Sequence, residues 1–371
     1  MKRVIIIGGG LAGLIAGIRL ARWNIACTVI EKKKYPFHRV CGEYISNETT
    51  PFLRNEGLYP GTFIPPPINQ FQLSAVNGKS TTLPLNLGGF GISRYQFDHF
   101  LYSIAKEAGV EFLLDTEVEN VDFRDDVFEV KTSNQSLTAA IVIGAFGKRS
   151  KLDHQLGRNF FRKRSPYVGV KYHVRTDHPH NLIALHNFRG GYCGISNIED
   201  GKTNLCYLTH RDNVKKFKNI HEMETEVLFE NPHLRSIFKN SEFLFEKPET
   251  INEISFETKE PVWNHILMTG DAAGMITPLC GNGMAMAIHS AKLLSDLIKA
   301  KFESRNFNRT QLEREYTNSW NKTFANRLWI GRQIQHKLFG SEWSSNFAVN
   351  LAIYSKPVAR AIIKNTHGEA F

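Results

Sequence analysis

The chain has 371 residues, enough for two domains, and its 42% hydrophobic and 22% charged residues are typical of an ordinary globular protein. No stretch is long and apolar enough to span a bilayer, and no nucleic-acid-binding motif accompanies the net charge of +10. The five cysteines show no CxxC pair or zinc spacing, so we expect a reducing, cytoplasmic compartment and no metal. Solvated basic faces are the favoured explanation of the charge, and attraction to an anionic membrane or a phosphorylated ligand is the alternative.

A strand, a glycine-rich loop and a helix open the chain. The apolar run 4–7 predicts a strand, the helical spacing of 14–23 predicts a helix, and 27–30 predicts a second strand. The glycines would interrupt the apolar region of a signal peptide, so we expect the N-terminus to belong to the mature fold. This order of elements predicts a βαβ unit.

The loop has the G-x-G-x-x-G spacing of a dinucleotide-binding site. Gly8 permits the tight turn, Gly10 lets the backbone approach a pyrophosphate, and Gly13 allows the helix to pack closely on the strand. The helix N-terminus offers N–H groups and a partial positive charge to phosphates. Glu31, 18 residues after the last glycine, can accept hydrogen bonds from a ribose.

Short strands separated by turns make up most of the middle of the chain. Asn77-Gly78 predicts a hairpin, and the alternating segments of 167–209 predict several antiparallel strands. Ser93 and Gly109 mark the start and the end of a predicted helix. Three further strands predict a β-meander, at 117–123, Val127–Thr132 and Ser136–Ala139.

Alternation of strand and helix returns near residue 262. After a strand at 251–257, the pattern predicts a strand at 265–269, a glycine-rich loop and a long helix over 283–300. The remainder, 308–371, is predicted to be helical. A β-rich domain is therefore expected to interrupt a dinucleotide-binding domain.

A second glycine-rich motif begins at Gly270-Asp271, about 260 residues after the first. Asp271 follows an apolar strand, where it can accept hydrogen bonds from the hydroxyls of a polyol chain. The backbone N–H groups of residues 281–284 begin a helix and can face an electron-rich ring. Reduced flavin carries negative charge near N1 and the C2 carbonyl, which a helix N-terminus stabilises.

Together the two motifs resemble the flavoprotein fold of para-hydroxybenzoate hydroxylase and, within it, the geranylgeranyl reductase family of FAD-dependent oxidoreductases. The resemblance covers about residues 1–300 and implies noncovalently bound FAD. It also implies that Arg94 contacts the cofactor and that Pro278, Gly281 and Gly283 belong to the flavin-ring loop. Arg39 is interpreted as a ligand of the FAD pyrophosphate. The cofactor-binding residues expected are Gly8, Gly10, Leu11, Ala12, Gly13, Glu31, Lys32, Arg39, Arg94, Gly270, Asp271, Pro278, Gly281, Asn282, Gly283 and Met284.

The predicted fold class is α/β, or α+β overall, with a Rossmann-like FAD-binding domain, a β-meander, an interleaved antiparallel substrate domain and C-terminal helices. The predicted FAD domain comprises 1–60, 94–163 and 262–300, the substrate domain 61–93 and 164–261, and the C-terminal helical region 301–371.

Three departures from related flavoproteins bear on the reaction. Phe146 stands where hydroxylases have the acid of a motif linked to FAD and NADPH, so the use of NADH or NADPH as reductant is left open. Residues 191–196 replace the Tyr-x-Trp-x-Phe-Pro strand of many reductases, so the substrate need not be a prenyl chain. The W-x-W-x-I-P motif of flavin halogenases is missing, which disfavours that activity.

The loop after Glu31 supplies the candidate catalytic residues. Cys41 corresponds to a family cysteine near the substrate, where a thiol can donate a proton, although an inert buried thiol is an equal alternative. Glu43 and Tyr44 are candidate acids, and hydrogen bonding within the loop is the favoured alternative for both.

Apolar side chains of the middle strands are core residues by default and also candidates for a pocket over the flavin: Phe188, Tyr192, Ile195 and Tyr207. The histidines at 173, 186 and 289 have no metal spacing and are expected to be satisfied within the fold. Segments 327–337 and 347–364 mix apolar and basic residues, and we weigh docking on the core against peripheral contact with a membrane.

The sequence favours an FAD-dependent enzyme that transfers hydride from flavin N5 to a C=C bond of a large apolar, isoprenoid- or polyene-like substrate. A flavin monooxygenase that hydroxylates an aromatic or polyketide-like compound is the first alternative. A flavin electron-transfer protein is the second. No nucleic-acid partner is expected, and the sequence leaves the oligomeric state open.

Overall fold

The structure is a computed structural model. It describes residues 4–162, 165–277, 281–304, 307–338, 341–355, 357, 359, 362 and 366–371. Within them the strands are β1 (Val4–Ile7), β2 (Cys27–Glu31), β3 (Tyr44–Ser46), β4 (Pro67–Ser74), β5 (Ser80–Gly91), β6 (Glu111–Leu114), β7 (Val118–Arg124), β8 (Val127–Thr132), β9 (Ser136–Ala139), β10 (Ile141–Gly144), β11 (Tyr167–Arg175), β12 (Leu182–Phe188), β13 (Gly191–Asn197), β14 (Thr203–His210), β15 (Glu242–Phe243), β16 (Glu249–Asn252), β17 (Val262–Trp263) and β18 (Ile266–Met268).

The helices in the same parts of the chain are α1 (Leu11–Arg22), α2 (Thr50–Asn55), α3 (Arg94–Glu107), α4 (Lys151–Gln155), α5 (Arg211–Lys216), α6 (Ile220–Val227), α7 (Pro232–Asn240), α8 (Gly283–Glu303), α9 (Arg309–Trp320), α10 (Asn326–Leu338) and α11 (Glu342–Tyr354).

The first sheet has the strand order β17-β18-β10-β1-β2-β6 and is parallel except for β17. Strands β1 and β10 are continuous apolar runs with every residue buried, as expected where both faces of a parallel sheet are covered. Helix α1 packs against α3 and α8. The predicted strand–loop–helix order is confirmed.

The predicted β-meander is confirmed as a separate antiparallel sheet, β7-β8-β9. Strand β8 alternates strictly between exposed and buried residues, so one face of this sheet is covered and the other is solvated.

The second sheet has the order β15-β11-β14-β13-β12-β4-β5-β3, with β16 paired to β11. One face packs on α6 and α7 through the core that contains Val170, Tyr172 and Tyr207. The other face carries Tyr192 and Leu208, which belong to a different apolar cluster that reaches α11. The hairpin predicted at Asn77-Gly78 is confirmed as the β4–β5 turn.

The α/β fold class is confirmed, with two local differences. The strand predicted at 251–257 ends at Asn252, because Glu253 adopts a left-handed backbone conformation with φ 59°. Strand β3 lies in the predicted FAD segment 1–60 but pairs with β5 of the second sheet. The domain boundaries themselves stay a prediction.

The C-terminal helices α9, α10 and α11 follow α8, and α11 packs against α10, β4 and β5. None of the helices in the described residues is both long enough and apolar enough to cross a membrane.

Candidate active site

The first glycine loop leaves β1 through a turn that a larger residue could not adopt without strain. Gly8 has φ +105°, and a Cβ built on it would lie 2.4 Å from the carbonyl oxygen of Ala145. A Cβ on Gly13 would lie 2.0 Å from the carbonyl oxygen of Gly8, so α1 can approach β1 only with glycine there. Gly13 therefore lies behind the loop and does not line the cavity described below.

Gly10 faces open space. A Cβ there would meet only the guanidinium of Arg94, at 3.4 Å. Gly10 is the N-cap of α1, and as a glycine it has no side chain to cap the helix. The N–H groups in the first turn of an α-helix have no acceptor within the helix. This arrangement fits a bound pyrophosphate.

Glu31 ends β2 and is 4% exposed. Its Oε2 accepts hydrogen bonds from the Gly9 backbone N–H at 2.9 Å and from Arg39 at 3.0 Å. Arg39 also donates to Asp98 at 3.2 Å. The Arg39 guanidinium, which is expected to bind the pyrophosphate and lies at the cavity wall, is thus shared between two carboxylates.

Arg94 begins α3, with Ser93 as its N-cap, as predicted. Its guanidinium makes two hydrogen bonds of 2.7 Å to Asp98, and its backbone N–H donates to Glu43 at 2.8 Å. Burial alone would lower the pKa of Arg94, but Asp98 raises it, so the side chain is a fixed positive charge beside Gly10.

The second motif forms a tight turn after β18. Gly270 has φ +60°, and its backbone N–H donates to Ser290 of α8 at 3.0 Å. Asp271 is half-buried at the cavity wall, and its backbone carbonyl accepts a hydrogen bond from Lys259 at 2.8 Å. The turn therefore places the Asp271 carboxylate at the same cavity as Gly10.

Only some of the cofactor-binding residues expected near the start of α8 line the cavity. Gly281, Gly283 and Met284 line the cavity. Asn282 does not, because its buried side chain instead donates to Glu48 at 2.7 Å. Pro278 lies outside the described residues.

One cavity of about 610 Å³ joins the two motifs. It begins beside the carboxyl ends of the parallel strands, where Gly8, Glu31, Ala145 and Thr269 follow or end β1, β2, β10 and β18. Ligands of open α/β sheets bind at this edge. The expected lining residues found here are Gly8, Gly10, Leu11, Ala12, Glu31, Lys32, Arg39, Arg94, Gly270, Asp271, Gly281, Gly283 and Met284.

The same cavity continues between the second sheet and α11. We call this part the apolar chamber, and its walls are Leu73, Leu85, Ile183, Leu185, Tyr192, Met275, Ile334, Ala348, Leu351 and Ala352. Tyr192 donates its hydroxyl hydrogen bond to Gln335 of α10 at 3.3 Å. The chamber is therefore built from the sheet on one side and the C-terminal helices on the other.

Two residues predicted to line the pocket do not. Phe188 and Tyr207 lie in the core on the opposite face of the sheet, where Tyr207 donates to Glu224 at 2.7 Å. Side chains alternate along a strand, so Tyr207, opposite Cys193, shares the face away from the chamber, whereas Tyr192 faces it. Ile195 belongs to that far core and also reaches the cavity.

The loop of residues 39–43 lines the cavity. Four consecutive carbonyls of this loop accept side-chain hydrogen bonds: Arg39 from Lys171 at 3.2 Å, Val40 from Lys148 at 3.1 Å, Cys41 from Asn204 at 3.2 Å and Gly42 from Ser196 at 3.5 Å. These contacts fix the 39–43 loop to the second sheet and to the segment after β10. The Cys41 thiol, which is free, is held at the cavity wall by this loop.

Glu43 is fully buried with φ 54°. Its Oε1 lies 2.5 Å from the ammonium of Lys171, and its Oε2 lies 2.6 Å from Nε2 of His173. Burial would raise the pKa of Glu43, but the Lys171 charge and the His173 hydrogen bond lower it to about 2. Glu43 therefore stays ionised at neutral pH and holds the loop, which is the alternative favoured from the sequence.

Tyr44 donates its hydroxyl hydrogen bond to the Gly88 carbonyl at 3.1 Å. Burial and the nearby Glu48 carboxylate raise the pKa of Tyr44, so the phenol stays protonated. The hydroxyl is thus engaged in holding β3 to β5, the alternative expected from the sequence.

The three histidines expected to be satisfied within the fold differ in their hydrogen-bond partners. His173 bonds Glu43, and His186 bonds Ser74 at 2.8 Å. His289 stacks on Phe371 with ring centroids 3.8 Å apart, but its Nδ1 has no hydrogen-bond partner, and burial lowers its pKa to about 4. In the described residues, no group of three or more potential ligands could hold a metal ion.

Sequence reasoning missed Lys171, Asn204 and Lys148, which hold the loop, and it named His173 only as a histidine satisfied within the fold. A signal was present for two of them. Lys171 and His173 are spaced two apart in the otherwise apolar run 168–174 of β11, and both are buried. A buried lysine in such a strand requires an acidic partner, but the strand does not tell which one.

The FAD binding domain family matches residues 1–305. The chain belongs to this family. A curated relative, conditioned medium factor receptor 1 of Dictyostelium discoideum, is 24% identical, over 95% of this chain and 71% of its own. Digeranylgeranylglycerophospholipid reductase of Methanosarcina acetivorans is 23% identical, over 86% of this chain and 80% of its own.

Two solved structures show the same fold. A geranylgeranyl bacteriochlorophyll reductase-like protein from Thermoplasma acidophilum superposes with a TM-score of 0.76 at 18% identity, covering 98% of this chain and 96% of its own. The flavin-dependent brominase Bmp2 gives a TM-score of 0.76 at 17% identity, covering 97% and 92%.

The comparisons confirm FAD as the cofactor, the resemblance to geranylgeranyl reductases and the assignment to FAD-dependent oxidoreductases. The site fits FAD on geometric grounds, because the open approach at Gly10 and the Asp271 turn line one continuous cavity. The individual FAD contacts stay predictions.

Proposed function

We propose that this protein reduces a C=C bond of a large apolar substrate with electrons from FAD. The observation that carries the proposal is the continuity of the cavity: it runs from the glycine loops, past the 39–43 loop, into the apolar chamber. The described walls of the chamber are dominated by Leu, Ile, Ala and Met side chains, which suit a hydrocarbon chain.

Reduced FAD, when bound, supplies a hydride equivalent to one carbon of the C=C bond. The other carbon of that bond needs a proton. The Cys41 thiol is the candidate donor, because the 39–43 loop carries it at the cavity wall. Its S–H bond would break as a C–H bond forms, and the thiolate would regain a proton from solvent. The four carbonyl contacts of the loop hold the thiol in place during this transfer.

Names of relatives support reduction. The Methanosarcina acetivorans relative is called a digeranylgeranylglycerophospholipid reductase, and the Thermoplasma acidophilum structure is called geranylgeranyl bacteriochlorophyll reductase-like. Both names refer to the geranylgeranyl group, which is a long apolar chain.

A flavin monooxygenase or halogenase is the second candidate. The brominase Bmp2 matches the fold as well as the reductase-like protein does, with the same TM-score of 0.76. The apolar chamber and the missing tryptophan motif favour the reductase.

Product mass decides between the two. FAD-loaded protein is reduced anaerobically with NADH, NADPH or dithionite and incubated with a detergent-dispersed polyprenyl lipid. A gain of two hydrogens supports reduction, whereas a gain of oxygen after admission of air, or of bromine when bromide is also supplied, overturns it. Cys41→Ser should retain FAD and slow product formation, and its rate should depend on pH differently from that of the wild type.

A further inference from the structure

Helix α11 has two unlike faces. Ser345, Ala348, Val349 and Ala352 are buried against the rest of the protein. On the outer side, large aromatic side chains are exposed to solvent: Trp343 at 76%, Phe347 at 48% and Tyr354 at 79%. Exposed aromatic side chains of this size in one short helix mark a surface that contacts a partner.

These three residues form one line along the helix. At 100° per residue, positions 343, 347 and 354 lie within about 40° of each other around the axis. The rings of Trp343 and Phe347 stack, with centroids 5.8 Å apart and an angle of 11° between their planes. We call Trp343, Phe347 and Tyr354 the aromatic stripe.

A positive charge lies at one end of the stripe. The ammonium of Lys79, from the β4–β5 turn, donates to Asn350 at 2.7 Å and lies 5.6 Å from the centre of the Tyr354 ring. Residues 326–365 contain six Lys and Arg and one Glu, so about half of the net charge of +10 belongs to this part of the sequence. In the sequence, excess positive charge therefore flanks the aromatic residues of the stripe.

The buried face of α11 covers the apolar chamber. Ala348, Leu351 and Ala352 line the cavity from the same helix that carries the stripe outside. One helix thus separates the chamber from whatever the stripe contacts.

We propose that the aromatic stripe binds the surface of an anionic lipid bilayer. Trp and Tyr prefer the interface between headgroups and acyl chains, and basic residues nearby add attraction to anionic lipids. The benefit of this placement, access of long apolar substrates to the chamber, rests on the proposed function, but the binding itself does not.

A second copy of the chain fits this face less well. A symmetric contact through the stripe would bring together two segments that each have five more basic than acidic residues. The like net charge of the two segments opposes such a contact, whereas an anionic bilayer has the complementary charge.

The test uses FAD-loaded full-length protein and sedimentation of vesicles made of phosphatidylcholine with or without phosphatidylglycerol. Wild-type protein should bind the anionic vesicles, and added salt should weaken binding. The double variant Trp343→Ser/Phe347→Ser should bind about tenfold less tightly or worse, since two apolar anchors are lost. Phe347→Trp should retain binding.

The matched control is Ile64→Ser, which removes an 84% exposed apolar side chain far from α11 in sequence and should bind like the wild type. Equal binding by the double variant and the wild type would overturn the proposal. The proposal would also be overturned if sedimentation velocity showed that the wild type is a dimer and the double variant is a monomer.

If the double variant fails to fold, a second measurement still tests the proposal. Brominated lipids should quench tryptophan fluorescence of the wild type, and Trp343→Phe should keep its FAD while losing most of that quenching. No quenching of the wild type on anionic vesicles would contradict the proposal. Neither measurement involves turnover, so failure here is distinct from failure to reduce a detergent-dispersed substrate.

Discussion

The ammonium of Lys171 lies 2.5 Å from a carboxylate oxygen of Glu43, and neither side chain is exposed to solvent. Lys171 belongs to β11 of the second sheet, and Glu43 ends the loop that lines the cavity. The pair, with His173 on the other carboxylate oxygen, therefore connects the sheet beneath the apolar chamber to the loop that carries Cys41. Its strength should control both stability and the position of the thiol.

Removing the lysine should destabilise the protein. In Lys171→Met the Glu43 carboxylate stays buried without its main counter-charge, which costs about 3 kcal/mol of the free energy of unfolding. Urea unfolding of the FAD-loaded protein measures the change. Lys151→Met is the control, because it breaks a Lys–Glu pair of 3.2 Å whose lysine is 82% exposed, and we expect no measurable loss. Equal losses for the two variants would contradict the assignment.

Glu43 should also make the protein sensitive to acid. Its pKa falls from 4.5 to about 2 on folding, so its contribution is fully present above about pH 5 and is lost as pH falls towards 2. The contribution amounts to about 3 kcal/mol. Glu43→Gln should be less stable at pH 7 and lose less stability between pH 5 and pH 3 than the wild type does. Parallel curves of unfolding free energy against pH would show that another group is responsible.

The sequence predicted the elements whose signals are local. Strand β1, the glycine loop and α1 follow from apolar runs and glycine spacing within the first 22 residues, and the β-meander follows from short alternating segments. The two glycine motifs were also placed at one site, because a family resemblance linked them across 260 residues.

Contacts between distant strands were not predictable in this way. Glu43 and Lys171 are 128 positions apart, and nothing in either segment identifies the other as its partner. Tyr207 and Tyr192 are both aromatic strand residues, yet they point to opposite faces. Which face borders the cavity depends on strand pairing and on where α11 packs, and both are set by tertiary structure.

Alanine at two positions of the glycine loop should separate folding from FAD binding. Gly8→Ala places a Cβ against the Ala145 carbonyl at φ +105° and should cost about 2 kcal/mol of stability. Gly10 has φ −84° and open space in front of it, so Gly10→Ala should fold normally. Its methyl group would occupy the approach to the pyrophosphate, and FAD affinity should fall about tenfold or more.

Thermal unfolding without FAD and a fluorescence titration with FAD test this pair. Normal FAD affinity in Gly10→Ala would mean that the pyrophosphate does not approach the loop there. An unchanged melting temperature in Gly8→Ala would mean that the turn can relax.

Filling the apolar chamber should block long substrates without disturbing FAD. Ala348→Phe adds a ring from α11 into the chamber, and we expect turnover of a long polyprenyl substrate to fall about tenfold while FAD affinity is unchanged. Ala325→Phe, at an exposed position before α10, is the control and should behave like the wild type. A short soluble alkene substrate should be reduced by both variants at similar rates, because it does not need the far end of the chamber. Equal loss of activity on short and long substrates in Ala348→Phe would show that the substitution disturbs the reaction centre and that the chamber does not hold the chain.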